Sequence, residues 1–443
     1  MKCTLIKLSL VSLLAFAVCS TLAFAEPQSV PNGPYVEEEQ GSVSLSSLMT
    51  NQELYDRLHQ LEARSKGVMK LEIAGYSNAI NFPDLMEPLG YPLYVCKFGE
   101  ADPSKVRLLV TSQIHGNEPL GTEAVVEIMQ RLIAGGKAAQ AILENVTIWF
   151  MPRINPDGAI NQYEGQWIPK RYTDQEWVPE DIGLPAGTRA PWYYTATGSM
   201  STVTLGRILT GPGYDENRDS NPNLDFRIEN LADYGLTPDE FATNYLNNRS
   251  LNNSNYGGYY VTPEARIVTG VFKELQPDVY IDIHHRGFNY LSADDNRWVS
   301  IQVAAEVADP YDDPFTGNHY EVDADVLTLA KQVNAVGWLS LQLGNSAFGA
   351  IQKYPKVNLP GTTLGTFALN DTAIMLIEIS GQTQTLGQKA RGWLTMTATD
   401  SVLAIMGALA DGSIHDVDPA IYDAIPESAH SMSDPTTRDE DPL

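Results

Sequence analysis

A chain of 443 residues, 43% of them hydrophobic, is long enough to bury a large core as one big domain or two or three small ones. Its 55 acidic against 29 basic side chains leave a formal charge of −26, which argues against nucleic acid or an anionic membrane as a partner. The charge suits a soluble, exported protein.

The N-terminus sets the compartment. Lys2 and Lys7 frame the start of the apolar run LSLVSLLAFAV, and Ala23-Phe24-Ala25 forms a small-x-small site before Glu26, so residues 1–25 read as a secretory signal peptide. Cys19 follows Val18, a poor setting for lipid modification, and plain cleavage after Ala25 is expected. Cleavage removes Cys3 and Cys19 and leaves only Cys96, so no intramolecular disulfide is expected. No later stretch has the roughly 18 unbroken apolar residues of a transmembrane helix, so no membrane anchor is expected. The product is predicted to be secreted or periplasmic.

Residues 26–45, with three prolines and the acidic EEEQ, read as a leader or linker. Leu54, Leu58 and Leu61 then mark a helix, with His59 on its surface. Two strands follow, MKLEIAGYS (69–77) and YPLYVCKFG (91–99); Cys96 in the second is a packing residue rather than a nucleophile. The strand KVRLLVT (105–111) leads into His115 and Glu118. From Pro119 the apolar positions Val125, Ile128, Met129, Leu132 and Ile133 have helical spacing, and Gly135-Gly136 ends the helix. VTIWFMP (146–152) is a strand buried on both faces, closed by the turn Asn155-Pro156-Asp157-Gly158.

From 159 to about 260 the chain is rich in Trp, Tyr, Asn, Pro and Gly and lacks periodicity. It reads as a functional loop on a scaffold, with the Asn-rich 244–260 segment as a solvent loop. A helix over 262–275 starts at Thr262-Pro263 and stops before Pro277. The strand DVYIDI (278–283) runs into His284-His285-Arg286. A helix covers 322–342, the strand AIMLIEI (373–379) delivers Glu378, and a last helix over about 385–410 carries Leu386, Leu394, Ala398 and Leu403. Residues 421–443 read as an acidic, disordered tail. Helices separated by buried strands predict one α/β domain over 46–420, a central mostly parallel or mixed twisted sheet with helices on both faces.

Three strands thus end in polar groups foreign to a core: His115/Glu118, His284/His285 and Glu378. Two imidazoles and a carboxylate suit a zinc site with an open fourth position, and a further carboxylate can take a proton from water there. Glu378 inside MLIEIS would cost several kcal/mol unless paired, protonated or hydrogen-bonded. Each residue alone also fits a hydrogen-bonded core histidine or an internal ion pair.

The motifs, in order, resemble those of the zinc metallocarboxypeptidases, the family of the pancreatic carboxypeptidases and their bacterial relatives. HGNE (115–118) is similar to the family's HxxE zinc motif, INPDG (154–158) to its NPDG turn, and DENRD (215–219) to its Asp-x-Asn-Arg segment. TPEA (262–265) resembles the start of the helix before the third ligand. YIDIH (280–284) resembles the element that supplies that ligand, and LIEIS (376–380) the strand with the catalytic glutamate. The resemblance covers roughly 50–415. It implies one Zn²⁺ per chain held by His115, Glu118 and His284, with His285 as the other candidate because HH leaves the register ambiguous by one. It also implies that Asn217 and Arg218 clamp the free C-terminal carboxylate of a peptide substrate, and that Glu378 is the general base. Arg171, thirteen residues beyond Gly158, is the candidate oxyanion-stabilising group, and Tyr354 the candidate substrate-facing tyrosine. The 159–260 stretch is longer than a minimal member needs. Two other functions share these residues: a zinc deacylase or amidase acting on N-acyl amino acids or cell-wall peptides, and a non-catalytic binding protein. Oligomeric state is not legible in the sequence.

Overall fold

The computed structural model describes residues 48–427 except 78–89, 164–165, 168, 198–199, 202–207, 210, 287–289, 293–294, 344–349 and 381–387. The signal-peptide and leader segments, Leu386 and residues 428–443 lie outside the described residues.

The strands expected from the sequence pair into one mixed sheet. They are β1 (Lys70–Tyr76), β2 (Pro92–Phe98), β3 (Val106–Ser112), β4 (Val146–Met151), β5 (Val279–Arg286) and β8 (Ala373–Ser380), joined by two strands the sequence reading did not anticipate, β6 (Ile301–Ala304) and β7 (Ile351–Lys353). Their order across the sheet is β1-β2-β4-β3-β5-β8-β6-β7. The central run β4-β3-β5-β8 is parallel, and antiparallel pairs flank it (β1 with β2, β2 with β4, β6 with β8).

Both faces of the central strands are covered, which explains their continuous apolar runs. Side chains alternate between faces. On β5, Val279, Ile281 and Ile283 enter the larger core, while Tyr280 joins the opposite one. On β8, Met375, Ile377 and Ile379 enter the larger core, and Ile374 and Leu376 face the other way. Helices α1 (Asn51–Ser65), α2 (Leu120–Ala134), α3 (Lys137–Asn145), α5 (Ala324–Leu343) and α7 (Gln388–Asp411) supply the larger core. Helices α4 (Pro263–Leu275) and α6 (Thr363–Ala368) cover the second face, where the Phe272 and Phe367 rings stack with centroids 3.8 Å apart. Helix α1 begins with a capping box between Thr50 and Glu53. Helix α4 begins with Thr262 as cap and Pro263 at its first turn, and ends at Gln276 in a left-handed conformation. Gly392–Asp411 is apolar and long enough to cross a bilayer. Instead, Leu394, Ala398, Val402, Ile405 and Met406 of this helix are buried in the core.

Three expectations change. Strand β5 does not stop at Ile283; its parallel pairing continues through His284↔Glu378, His285↔Ile379 and Arg286↔Ser380. The 159–260 excursion is not only loop. Tyr193, Tyr214, Phe226, Phe241, Tyr259 and Tyr260 form a third core, with Phe226 stacked on Phe315 at 4.5 Å. Aromatic packing of this kind needs no fixed spacing along the chain, so periodicity does not announce it. The Asn-rich segment takes part: Asn252 is buried and donates to Ala190 O and Leu246 O. Finally, residues 421–427 belong to the fold rather than to a disordered tail. Tyr422 and Ile425 are buried in the larger core, and the Lys353 N–H donates to Pro426 O.

Candidate active site

The sheet brings the chemistry to the carboxyl ends of β3, β5 and β8, on the second face. Beyond β3 the chain turns sharply. Gln113 adopts a left-handed φ of 53°, a conformation costing a non-glycine residue about 1–2 kcal/mol. Its side chain offsets that cost by donating to Gly116 O and accepting from Arg153 Nε and Thr122 Oγ1. The turn packs directly on the NPDG turn: a Cβ on Gly116 would lie 2.2 Å from the Gly158 carbonyl carbon. Asn155 accepts from the Gly158 N–H and donates to Arg171 O, and Gly116 N–H also donates to Arg171 O. The two motifs and Arg171 therefore form one packed unit.

His115, Glu118 and His284 converge. His115 Nδ1 lies 2.9 Å from Glu118 Oε1, His284 Nδ1 lies 3.1 Å from Glu118 Oε2, and the two Nδ1 atoms are 3.3 Å apart. All three residues are buried. The far nitrogen of each ring faces a carboxylate: His115 Nε2 is 3.3 Å from Asp215 Oδ1, and His284 Nε2 is 2.8 Å from Asp282 Oδ2. A carboxylate can only accept, so each Nε2 carries a proton, and each ring in its neutral form turns an Nδ1 lone pair to the common centre. The Glu118 oxygens face the same centre. Three electron-pair donors this close call for a cation. Two ligands about 2.0 Å from a tetrahedral centre stand roughly 3.3 Å apart, so the spacing fits zinc. Each imidazole also has the carboxylate behind it that metal-binding histidines commonly have.

Electrostatics agree. Burial opposes ionisation of Glu118, yet His115 and His284 hold its carboxyl well below the usual range. Burial likewise opposes the charged form of His284, but Asp282 and Glu118 outweigh it and raise its pKa well above the ordinary value, so this negative surround favours a positive charge at the centre, a proton on Nδ1 or a cation that displaces it. Arg171 reaches the same centre, with Nη1 3.2 Å from His115 Nδ1 and 3.7 Å from Glu118 Oε1, and its Nε donates to Asp215 at 2.9 Å.

The alternation of β5 separates the two histidines. His284 shares the face of Asp282, whereas His285 shares that of Ile283 and points at helix α2, where its Nε2 accepts the Leu120 N–H at 3.0 Å. Burial lowers its pKa to about 4, so it stays neutral. Its backbone N–H donates to Glu118 Oε2.

Glu378 sits beside this group, in register with His284. It is 9% exposed, and burial pushes its carboxyl up to about 8; His284, Arg286 and Arg171 pull the other way, and Glu118 adds to the rise. Asn217 Nδ2 is 3.4 Å from His284 Nε2, and Asn217 Oδ1 accepts from the Thr363 N–H. Arg218 donates to Asn217 O and is half-buried. Tyr354 packs under Arg286, with Cζ 5.9 Å from its ring centroid. Burial, and after it Glu378, pushes the Tyr354 phenol up to about 12. Every sequence-selected residue is thus gathered in one region.

Sequence reasoning passed over three contributors. Asp215, the first residue of DENRD, bridges His115 and Arg171; burial opposes its charge, but Arg171, Arg218 and His115 hold its carboxyl well below the usual range. Asp282 is fully buried, accepts from Thr111 Oγ1 at 2.7 Å and orients His284. Arg286 shares the face of Asp282 and His284. Period-two alternation from His284 was the available signal for the last two.

The family profile described as zinc carboxypeptidase matches residues 54–292, more than half of the chain; Tyr354 and Glu378 lie beyond the matched span. The chain is 39% identical over 54 residues to carboxypeptidase 2 of Trichophyton tonsurans, covering 12% of this chain and 10% of that protein. It is 34% identical over 95 residues to carboxypeptidase E of Caenorhabditis elegans, covering 18% and 20%. The aligned segments therefore span only a tenth to a fifth of these relatives. In fold it is similar to the crystal structure of thrombin-activatable fibrinolysis inhibitor, with a TM-score of 0.50 and 13% identity over 87% of this chain and 82% of that one. With the profile matched over half its length, the chain belongs to the zinc carboxypeptidase family.

Proposed function

We propose that this protein is an exported, zinc-dependent metallocarboxypeptidase that hydrolyses the C-terminal peptide bond of peptides. One observation carries the reading: the Nδ1 lone pairs of His115 and His284 and the Glu118 carboxylate meet at one point, each ring backed by a carboxylate. These three residues would hold one zinc ion. Bound there, zinc supplies the Lewis acidity that makes water a nucleophile near neutral pH.

The chain's own residues do the rest. Arg218 and Asn217 bind and orient the free carboxylate of the substrate, a task suited to a planar guanidinium. Arg171 offers its Nη1 hydrogens to the oxygen on which negative charge grows. Tyr354 lines the substrate side. Glu378 takes the proton of the attacking water on a carboxylate oxygen and returns it to the leaving amine. Burial pushes its carboxyl up to about 8, and positive charge placed beside it favours the carboxylate form that accepts this proton.

The test uses the mature protein with free and amidated peptides and with N-acyl amino acids. About one zinc per chain is expected, lost in His115→Ala/His284→Ala. Hydrolysis should stop with chelator and be confined to substrates with a free carboxylate. Equal turnover of amidated peptides would exclude the exopeptidase reading, and turnover of N-acyl amino acids alone would make the protein a deacylase.

A further inference from the structure

The face that carries His284 and Glu378 continues outward as a polar row. Glu378 of β8 stands directly opposite Gln302 of β6, and Gln302 is in register with Gln352 of β7. Both glutamines are fully buried, and Gln302 Nε2 donates to Gln352 Oε1 at 2.8 Å. Residues directly opposite on antiparallel strands share a face, with Cβ atoms about 4.5–5.5 Å apart. Two buried acceptors remain in this row, Gln302 Oε1 and Glu378 Oε2, each without a hydrogen-bond partner among the described residues. The neighbours Ile301 and Val303 on the other face are apolar and pack in the larger core. An aliphatic residue at 302 would leave no orphan acceptor, so the amide there calls for a partner.

We propose that Gln302, anchored by Gln352, is the positioning residue of the general base Glu378. Two facing acceptors are satisfied when one of them brings a hydrogen. Glu378 brings it after taking the water's proton: its carboxyl O–H then donates to Gln302 Oε1. Before that step, both carboxamides turned over about their last torsions present a Gln302 N–H to the carboxylate and keep the pair bonded, Gln352 Nε2 then donating to Gln302 Oε1. In both states the Glu378 side chain is held in one rotamer. The proton passes from water to Glu378 to the leaving amine, and Gln302 neither gains nor loses one.

The role rests on Glu378 being the base, and the test separates the two claims. Gln302→Met keeps the length of the side chain and removes the amide. Expected is a fall in kcat of roughly 10–100-fold, the scale of a misplaced catalytic group, with KM and zinc content unchanged. Combined with Glu378→Gln it should cause no further loss, since both changes remove one function. Should Gln302→Met fail to fold, Gln352→Met removes the anchor instead and should lower kcat in the same manner. Parental kcat in these variants, or additive losses in the double variant, would overturn the Gln302 role while an inactive Glu378→Gln upheld the base. Parental turnover by Glu378→Gln would remove the base and this role with it.

Discussion

Strands β3, β5 and β8 present His115/Glu118, His284 and Glu378 from an aliphatic scaffold, whereas the 159–260 excursion brings in Arg171, Asp215, Asn217 and Arg218 from a different kind of core. The scaffold packs Ile, Val, Leu and Met on both faces of a sheet. The excursion packs tyrosines and phenylalanines and is pinned by buried polar groups. Asp219 is its main anchor: it accepts from Tyr193 Oη, from the N–H groups of Tyr259, Val261 and Thr262, and from Thr262 Oγ1. These bonds fasten DENRD to the start of helix α4, which the scaffold already holds. The candidate metal ligands and base thus sit on the scaffold, and the groups proposed to bind the substrate carboxylate sit on the excursion. The two regions meet at Asp215 and Arg171, which reach from the excursion to His115.

Glu378→Gln tests the scaffold half and should have the largest effect. Gln keeps the shape but cannot accept the proton, so kcat should fall by roughly 10⁴-fold or more, the upper range for acid–base catalysis, because the residue serves two steps. Zinc content and binding of a carboxylate inhibitor should stay at parental values. Turnover near normal in the zinc-loaded variant would disqualify Glu378, and loss of folding would recast it as a structural ion pair.

Phe226→Ala tests whether the excursion stands on its own core. Phe226 is fully buried and meets Phe315, Phe241, Tyr234 and Tyr259. Truncation should cost about 3–5 kcal/mol of stability by denaturant unfolding. KM for peptides should rise while zinc content is retained, since the three donors lie outside the excursion. Loss of zinc in step with activity would show that the two regions are one unit.

The scaffold was legible and the excursion was not, for physical reasons. Alternation in VYIDIHH and continuous runs such as VTIWFM reflect repeated geometry, and every long strand read from them is present. The pair His284/His285 could not be separated without knowing which face of β5 carries the site, although Ile283 and Tyr280 hold that answer in their burial. The aromatic core escaped because Tyr193, Phe226, Tyr259 and Phe315 meet only in three dimensions. DENRD was found by motif alone. Asp215, which orients His115, went unremarked because its partner lies 100 residues away.

Arg218→Met tests the excursion's own contribution to binding. Removal of a charged, bidentate partner should reduce kcat/KM for carboxylate substrates by about 2–4 kcal/mol. Amidated peptides, poor substrates of the parent, should hardly change. Equal losses on both substrate types would move the carboxylate clamp elsewhere.

The smallest effect is expected at the seam between the two regions. Asp157 of the NPDG turn is 4% exposed, and its Oδ2 has no hydrogen-bond partner among the described residues. Burial pushes its carboxyl up to about 6; Asp174 of the excursion adds to the rise, while Ser77 and Lys170 oppose it. An unfolded aspartate ionises near 3.9. Between those values the folded protein holds a proton that the unfolded chain has lost, so stability from the neutral acid is full below pH of about 3.9 and is lost as pH rises through 6. Two pKa units correspond to about 3 kcal/mol. Asp157→Asn stays neutral throughout and should therefore stabilise the protein by about 1–3 kcal/mol at pH 8, with the gain shrinking toward zero at pH 4. Urea unfolding at the two pH values measures both. A gain of equal size at pH 4 and pH 8 would mean that shape rather than charge governs this position, and that the seam carries no buried ionisation cost.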